Sequence, residues 1–133
     1  MSNADTIKEM YAAFGRGDVA TILGKLDDNV EWDVEIPVNG VPWLEPRRGK
    51  NEVPAFFEAL RPLTFTTFDP HTWFESGDKV MVLLHLEVDN TKTGKHYSFP
   101  YEGHLWTFNS AGKVTKYQHI TDTAQHWRLA NGQ

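Results

Sequence analysis

Cysteine is absent from the 133 residues of this chain. Its absence excludes disulfides, thiolate catalysis and metal sites built from thiolate ligands. No segment approaches the ~18 apolar residues that a membrane-spanning helix needs. The N-terminal sequence MSNADTIKEM lacks the basic and apolar regions of a signal peptide. The sequence therefore predicts a soluble, cytoplasmic protein.

Positive charge is also scarce, with 13 Lys and Arg residues against 18 Asp and Glu residues and a formal net charge of −5. The basic residues are scattered, apart from the pair Arg47-Arg48. Nucleic acid is therefore not expected as a partner, because phosphate binding needs a cluster of basic side chains. Aromatic residues, in contrast, make up 13% of the chain and include five tryptophans. These large rings must either pack in a core or line a cavity.

The first half of the chain has a helical pattern. Apolar residues recur at helical spacing in residues 7–14, 19–26 and 53–60, which predicts three amphipathic helices. Between the second and third helices, residues 30–34 predict a short strand, followed by a proline-rich loop long enough to form a rim or lid. The length of the chain and the absence of a linker predict one domain over residues 1–133.

The pattern becomes extended from Leu63 onwards. Four segments rich in β-branched and aromatic residues predict strands, at residues 63–75, 79–89, 95–108 and 113–122. Short turns join them, as in an antiparallel meander. The predicted fold class is α+β, with three N-terminal helices covering one face of a curved antiparallel sheet to form a cone-shaped barrel. The space between the helices and the sheet is a natural pocket.

Three segments carry a resemblance to a known group of proteins, namely MYAAFGRGDVATIL, LDDNVEW and FNSAGKVTKYQHITDT. In these segments the chain resembles the nuclear transport factor 2-like (NTF2-like) superfamily with its cystatin-like fold. Within that superfamily it resembles the SnoaL-like polyketide cyclases and the ketosteroid isomerases. The resemblance covers nearly the whole chain. It implies a cofactor-free isomerase, cyclase or dehydratase acting on an apolar carbonyl compound, or else a non-catalytic ligand-binding or protein-interaction module of the same fold.

The resemblance implies several acid–base candidates. His104 falls where ketosteroid isomerases place a proton donor of their oxyanion hole, and a histidine on the outer face of the sheet is the alternative. Asp122 matches the aspartate that serves as acid or base in the cyclases. The same Asp122 stands three residues before Gln125, which is also the spacing of a helix cap. Tyr11 can supply a phenol from the first helix or simply pack in the core. We expect His104 and Asp122 to face one cavity.

Asp33 and Trp32 are competing candidates for the pocket face of the short strand. Asp33 aligns with the general base of the isomerases, whereas a shift of one residue turns Trp32 inwards instead. The two interpretations exclude each other on a regular strand, and we favour Trp32. Trp43, Trp106 and Phe57 are further candidates for lining a substrate pocket.

Metal binding is not expected from the sequence. His119, Asp122 and His126 offer nitrogen and oxygen ligands. However, His119 and Asp122 are three residues apart in an extended segment, so their side chains point to opposite faces. We therefore expect no metal and no cofactor. The expected partners are a small apolar molecule and a second copy of the chain, which would cover the apolar open face of the sheet.

Overall fold

The computed structural model describes residues 1–133. Four helices and six strands follow one another along the chain. They are α1 (Asn3–Gly15), α2 (Val19–Leu23), β1 (Leu26–Trp32), β2 (Arg47–Arg48), α3 (Pro54–Ala59), β3 (Leu63–Ser76), β4 (Lys79–Asn90), β5 (His96–Phe108), β6 (Val114–Ile120) and α4 (Thr123–Asn131).

The strands form one curved six-stranded sheet in the order β2-β1-β6-β5-β4-β3. Strands β3 to β6 pair antiparallel through short turns, as the sequence predicts. The predicted α+β class, with a curved sheet covered by helices, is confirmed. The sheet differs from a closed antiparallel barrel in two respects. First, β1 runs parallel to β6, because these strands are separated by most of the chain and no hairpin sets their direction. Second, β2 and β3 remain as edges, so the sheet is not closed.

Each of the longer helices begins at a side-chain cap. At α1, Ser2 accepts a hydrogen bond from the Asp5 N–H while the Asp5 carboxylate accepts one from the Ser2 N–H, which forms a capping box. At α4, the Asp122 carboxylate accepts a hydrogen bond from the Gln125 N–H at 3.0 Å. The three predicted helices are present, and α4 is a fourth that brings His126 and Leu129 into the interior.

The core lies between the helices and one face of the sheet, which we call the inner face. Buried and partly exposed residues alternate along β4, so that Val80, Val82 and Leu84 point inwards. Ile7 and Met10 of α1 are buried against the same cluster. None of the helices has the length and apolar character that crossing a membrane needs.

Candidate functional site

The inner face of the sheet and the helices enclose a cavity of about 700 Å³, including the part open to solvent. Seventeen of its 21 lining residues are hydrophobic. The other four are Glu102, His104, His119 and His126. The cavity is therefore largely apolar, and these four side chains supply its only carboxylate and imidazole groups.

Strand alternation places two of these histidines side by side. Glu102, His104 and Trp106 share the inner face of β5, and His119 lies on the inner face of β6. His104 and His119 are direct partners in the β5–β6 register. Their rings lie 5.3 Å apart between centroids.

Asp33 orients His119 from behind the cavity wall. One carboxylate oxygen accepts a hydrogen bond from the His119 backbone N–H at 2.7 Å, and the other lies 2.7 Å from Nδ1 of its ring. Because a carboxylate can only accept, the His119 proton is on Nδ1 and Nε2 is turned to Tyr117, whose hydroxyl is 3.0 Å away. Burial lowers the pKa of His119, but the charge and hydrogen bond of Asp33 and the charge of Glu102 together outweigh burial, and the net shift is upward.

Asp33 reaches this position because the strand ends there. Its φ of 56° is in the left-handed region, which aspartate tolerates better than most residues. Its N–H still donates to the Tyr117 carbonyl at 2.9 Å, so the backbone remains attached to β6 while the side chain turns towards His119. Unusual backbone conformations of this kind concentrate at functional sites.

Tyr11, His104 and Trp106 form a second hydrogen-bonded group in the wall. The Tyr11 hydroxyl lies 2.8 Å from Nδ1 of His104 and accepts a hydrogen bond from the Trp106 indole N–H at 3.2 Å. Burial, followed by the positive potential of His119, lowers the pKa of His104 to about 3. Burial also raises the pKa of the Tyr11 phenol. At neutral pH, both groups are therefore uncharged hydrogen-bonding groups.

Glu102 and His126 form the third group. The Trp43 indole N–H can only donate, so Nδ1 of His126, 2.9 Å away, accepts and carries no proton. The remaining ring N–H, on Nε2, then donates to the Glu102 carboxylate at 2.9 Å. Thr121 donates a second hydrogen bond to this carboxylate. Burial raises the pKa of Glu102, but the surrounding imidazoles outweigh it and lower the pKa to about 2.

Six of the eight predicted site residues line the cavity, namely Tyr11, Trp32, Trp43, Phe57, His104 and Trp106. Asp33 lies behind the wall and touches the cavity through His119. The expectation that Asp122 shares the cavity with His104 is wrong. Asp122 is exposed and caps α4, because β6 ends before it and its carboxylate turns to the helix N–H groups.

Trp32 and Asp33 both contribute, although a regular strand would allow only one of them. Trp32, the last residue of β1, faces the cavity. The positive φ of Asp33 breaks the strand alternation, so its side chain is not forced to the opposite face. The alternatives therefore exclude each other only while the strand stays regular.

Sequence reasoning missed four residues of the site, namely Glu102, Tyr117, His119 and His126. In the sequence, His119 and His126 are candidates only for metal ligands. The register of the β5–β6 hairpin is the signal that places His119 opposite His104. Glu102 could have been found from its shared strand face with His104.

Solved structures define the class of protein. An NTF2-like protein of unknown function from Burkholderia pseudomallei is 27% identical, covers 98% of each chain and has a TM-score of 0.82. The protein TerC, co-crystallised with polyporic acid, is 25% identical over 97% of this chain and 98% of its own, with a TM-score of 0.80. An NTF2-like protein from Burkholderia xenovorans is 22% identical over 97% and 95%, with the same TM-score of 0.80. The fold is therefore NTF2-like.

The family follows from the sequence comparison. The model of the SnoaL-like domain matches residues 7–117, so the chain belongs to the SnoaL-like family. This confirms the resemblance seen in the sequence. Among curated proteins, no sequence matches this chain.

Proposed function

We propose that this protein catalyses proton transfer on a small, apolar, carbonyl-bearing molecule, in an isomerisation, cyclisation or dehydration that uses no cofactor. The observation that carries the proposal is the Asp33–His119 pair, whose 2.7 Å contact lies in the wall of an aromatic cavity. The co-crystal of the similar protein TerC with polyporic acid supports an organic ligand for a cavity of this fold.

His119 is the proposed general base. Its Nε2 takes a proton from the carbon next to the substrate carbonyl, displacing the Tyr117 hydroxyl, and the Asp33 carboxylate stabilises the imidazolium that forms. The electron pair of the broken C–H bond moves to the carbonyl oxygen as an enolate. Return of the proton to a different carbon gives an isomer with no net gain or loss of atoms.

His104 and Tyr11 are the proposed stabilisers of the enolate oxygen. When the Tyr11 hydroxyl donates to Nδ1 of His104, the ring proton is on Nε2, which makes no hydrogen bond to another protein atom. That N–H is available to the developing oxyanion. The apolar walls exclude water, which strengthens both the hydrogen bond and the charge interaction with Asp33.

The test is exchange of acidic C–H protons in D₂O, followed by proton NMR with 2-tetralone and a panel of cyclic ketones. The native protein should accelerate exchange, and His119→Gln should lose about 10²- to 10⁴-fold of that acceleration, the usual contribution of a general base. Asp33→Asn should retain part of it. His85→Gln changes a histidine outside the cavity and should match the native protein. Equal exchange by the native protein and His119→Gln would contradict the proposal.

The alternative is a ligand-binding module without chemistry, and one observation favours it. Glu102 and His126 are tied to Trp43 and Thr121, so this part of the wall is already satisfied by the protein itself. A module of this kind would bind members of the same ketone panel in calorimetry. Neither binding nor the background rate of exchange would then change in His119→Gln.

A homodimer is the proposed assembly. No helix covers the outer face of the sheet, where Met81 pairs with Leu105 across β4 and β5. Phe74 and Ile120 are exposed beside them. Apolar surface of this kind favours association with a second copy. Sedimentation velocity should show a dimer that Leu105→Glu dissociates, and a monomeric native protein would contradict it. The cytoplasmic location stays a prediction.

A further inference from the structure

Three of the four carboxylate and imidazole side chains in the cavity wall converge on one point. Glu102, His104 and His119 each offer one ligand atom, and these atoms lie within 4.8 Å of one another. All three residues are at least nine-tenths buried. We propose that Glu102, His104 and His119 form a binding site for a divalent transition-metal ion. The inference goes beyond the proposed proton transfer and does not depend on it, although both use His104 and His119, with the His104 proton on different ring nitrogens.

The donor set selects the class of ion. Two imidazole nitrogens and one carboxylate oxygen are the three protein ligands of many zinc sites that keep a position open, and of non-haem iron(II) sites. Mg²⁺ and Ca²⁺ prefer oxygen ligands alone. The cavity is on the open side of the three residues, so water or a substrate oxygen would complete the coordination.

His119 already has the outer hydrogen bond that metal-binding histidines need. Its Nδ1–H donates to the Asp33 carboxylate at 2.7 Å, which fixes the tautomer and directs the lone pair of Nε2 away from Asp33. The Tyr117 hydroxyl, 3.0 Å from this nitrogen, is the group that an ion would replace.

His104 has an equivalent arrangement. In the tautomer with its proton on Nδ1, the ring donates to the Tyr11 hydroxyl at 2.8 Å. Trp106 donates to the same hydroxyl and keeps it in place. Nε2 then carries a free lone pair and makes no hydrogen bond to another protein atom. His104 is 7% exposed, and burial of this kind favours the uncharged imidazole with a free lone pair.

Charge also favours a cation at this point. Glu102 and Asp33 are buried carboxylates, and the only ion pairs that either makes are with histidines. His126 and Thr121 fix the Glu102 carboxylate as outer partners, in the way that Asp33 fixes His119. Buried negative charge that lacks a lysine or arginine is stabilised by a bound cation.

The test is calorimetric titration of ZnCl₂ into the full-length, EDTA-treated protein in a buffer that does not chelate metals. We expect one ion per chain. His104→Gln and Glu102→Gln each remove a ligand and should abolish binding, whereas Asp33→Asn, which alters an outer partner, should weaken it about 10- to 100-fold. His96→Gln alters a histidine that also contacts carboxylates but lies outside the cavity, so its affinity should equal that of the native protein.

Two results would overturn the proposal. One is the absence of zinc uptake by the native protein. The other is binding that His96→Gln removes and His104→Gln leaves intact, which would locate the ion on the surface. If Glu102→Gln or His104→Gln fails to fold, NMR of the native protein decides, because zinc must then shift the ring signals of His104 and His119 and leave those of His85 and His96 in place.

The outcome is separable from that of the proton-transfer proposal. Zinc on Nε2 of His119 would occupy the proposed base, so saturating zinc should stop the exchange of ketone protons. Exchange without zinc binding overturns only the metal site. Zinc binding without exchange in the metal-free protein overturns only the proton-transfer proposal.

Discussion

A histidine–glutamate pair occurs on each side of the sheet, and the two pairs have different surroundings. Inside the cavity, His126 contacts the Glu102 carboxylate at 2.9 Å, and outside it, His96 contacts Glu87 at 2.7 Å. The side chains of the inner pair are 6% and 2% exposed, and those of the outer pair are 50% and 22% exposed. Contact length is therefore nearly the same, and burial distinguishes the two pairs.

The comparison shows how the surroundings determine the properties of a histidine. The hydrogen bonds that the His96 ring donates to the Glu87 and Asp89 carboxylates raise the pKa of this exposed histidine. Burial lowers the pKa of His104 to about 3. The pKa of His119 rises in spite of burial, because the Asp33 carboxylate is in contact with its ring. Inside the cavity, each histidine therefore depends on its particular partner, whereas water can replace a partner outside.

The largest expected difference between the two sides comes from deleting one partner of each pair. His126→Leu leaves the Glu102 charge buried without its main hydrogen-bond donor and should lower the free energy of unfolding by about 3–5 kcal/mol. His96→Leu should cause a change within experimental error, because Glu87 remains accessible to water. Urea denaturation of both variants measures the difference. Equal losses would show that burial does not distinguish the pairs.

A smaller effect is expected from the indole N–H that holds His126. Trp43→Phe removes this donor and leaves Nδ1 of His126 buried without a partner. The free energy of unfolding should fall by about 1–3 kcal/mol. The matched change outside the cavity is Ser98→Ala, which removes a hydroxyl that donates to Glu87 at 2.6 Å. Thermal unfolding should detect the first substitution and not the second. The reverse order would contradict the hydrogen-bond assignment of His126.

The most gradual effect is a pH dependence. Since the pKa of His104 is lower in the folded state, the unfolded chain binds its proton first as the pH falls below about 6.5. Stability should then fall by up to about 1.4 kcal/mol per pH unit. The raised pKa of His119 has the opposite effect. The stability that it contributes is fully present below about pH 6.5 and is lost as the pH rises through the pKa of His119 in the folded state.

Urea denaturation between pH 7 and pH 5 tests this prediction, since most carboxylates stay ionised there. His104→Gln should flatten the profile relative to the native protein, and His96→Gln should not. A profile that is unchanged in His104→Gln would mean that its imidazole is protonated in the fold.

The long elements of this fold could be predicted from sequence because their signals are local. Apolar spacing identifies α1, and alternating β-branched and aromatic residues identify the strands from Leu63 onwards. The parallel pairing of β1 with β6 has no local signal, because it joins segments that are distant in the chain. The spacing of Asp122 and Gln125 indicates the start of a helix, and the structure shows this cap at the start of α4.

The residues of the site could be predicted better than their partners. His104 and Tyr11 were candidates from the resemblance, yet their mutual hydrogen bond joins positions 93 residues apart. Asp33 was a candidate as well, but His119, its partner, lies 86 residues further along the chain. Asp122 matches a family pattern, but its spacing of three residues from Gln125 already indicates a local role as a helix cap. Pairing across the sheet requires the register, which a single sequence does not supply.

The backbone at Asp33 has a consequence for which sequences this position can accept during evolution. Glycine adopts its φ of 56° without strain, and asparagine and aspartate adopt it at a small cost. Contact with the His119 ring and its backbone N–H additionally asks for a carboxylate on a short side chain. Aspartate alone meets both demands. A saturation library at this position should therefore separate the backbone requirement from the charge requirement. Glycine and asparagine variants would fold but leave His119 without a charged partner. The glutamate variant would keep the charge and strain the backbone.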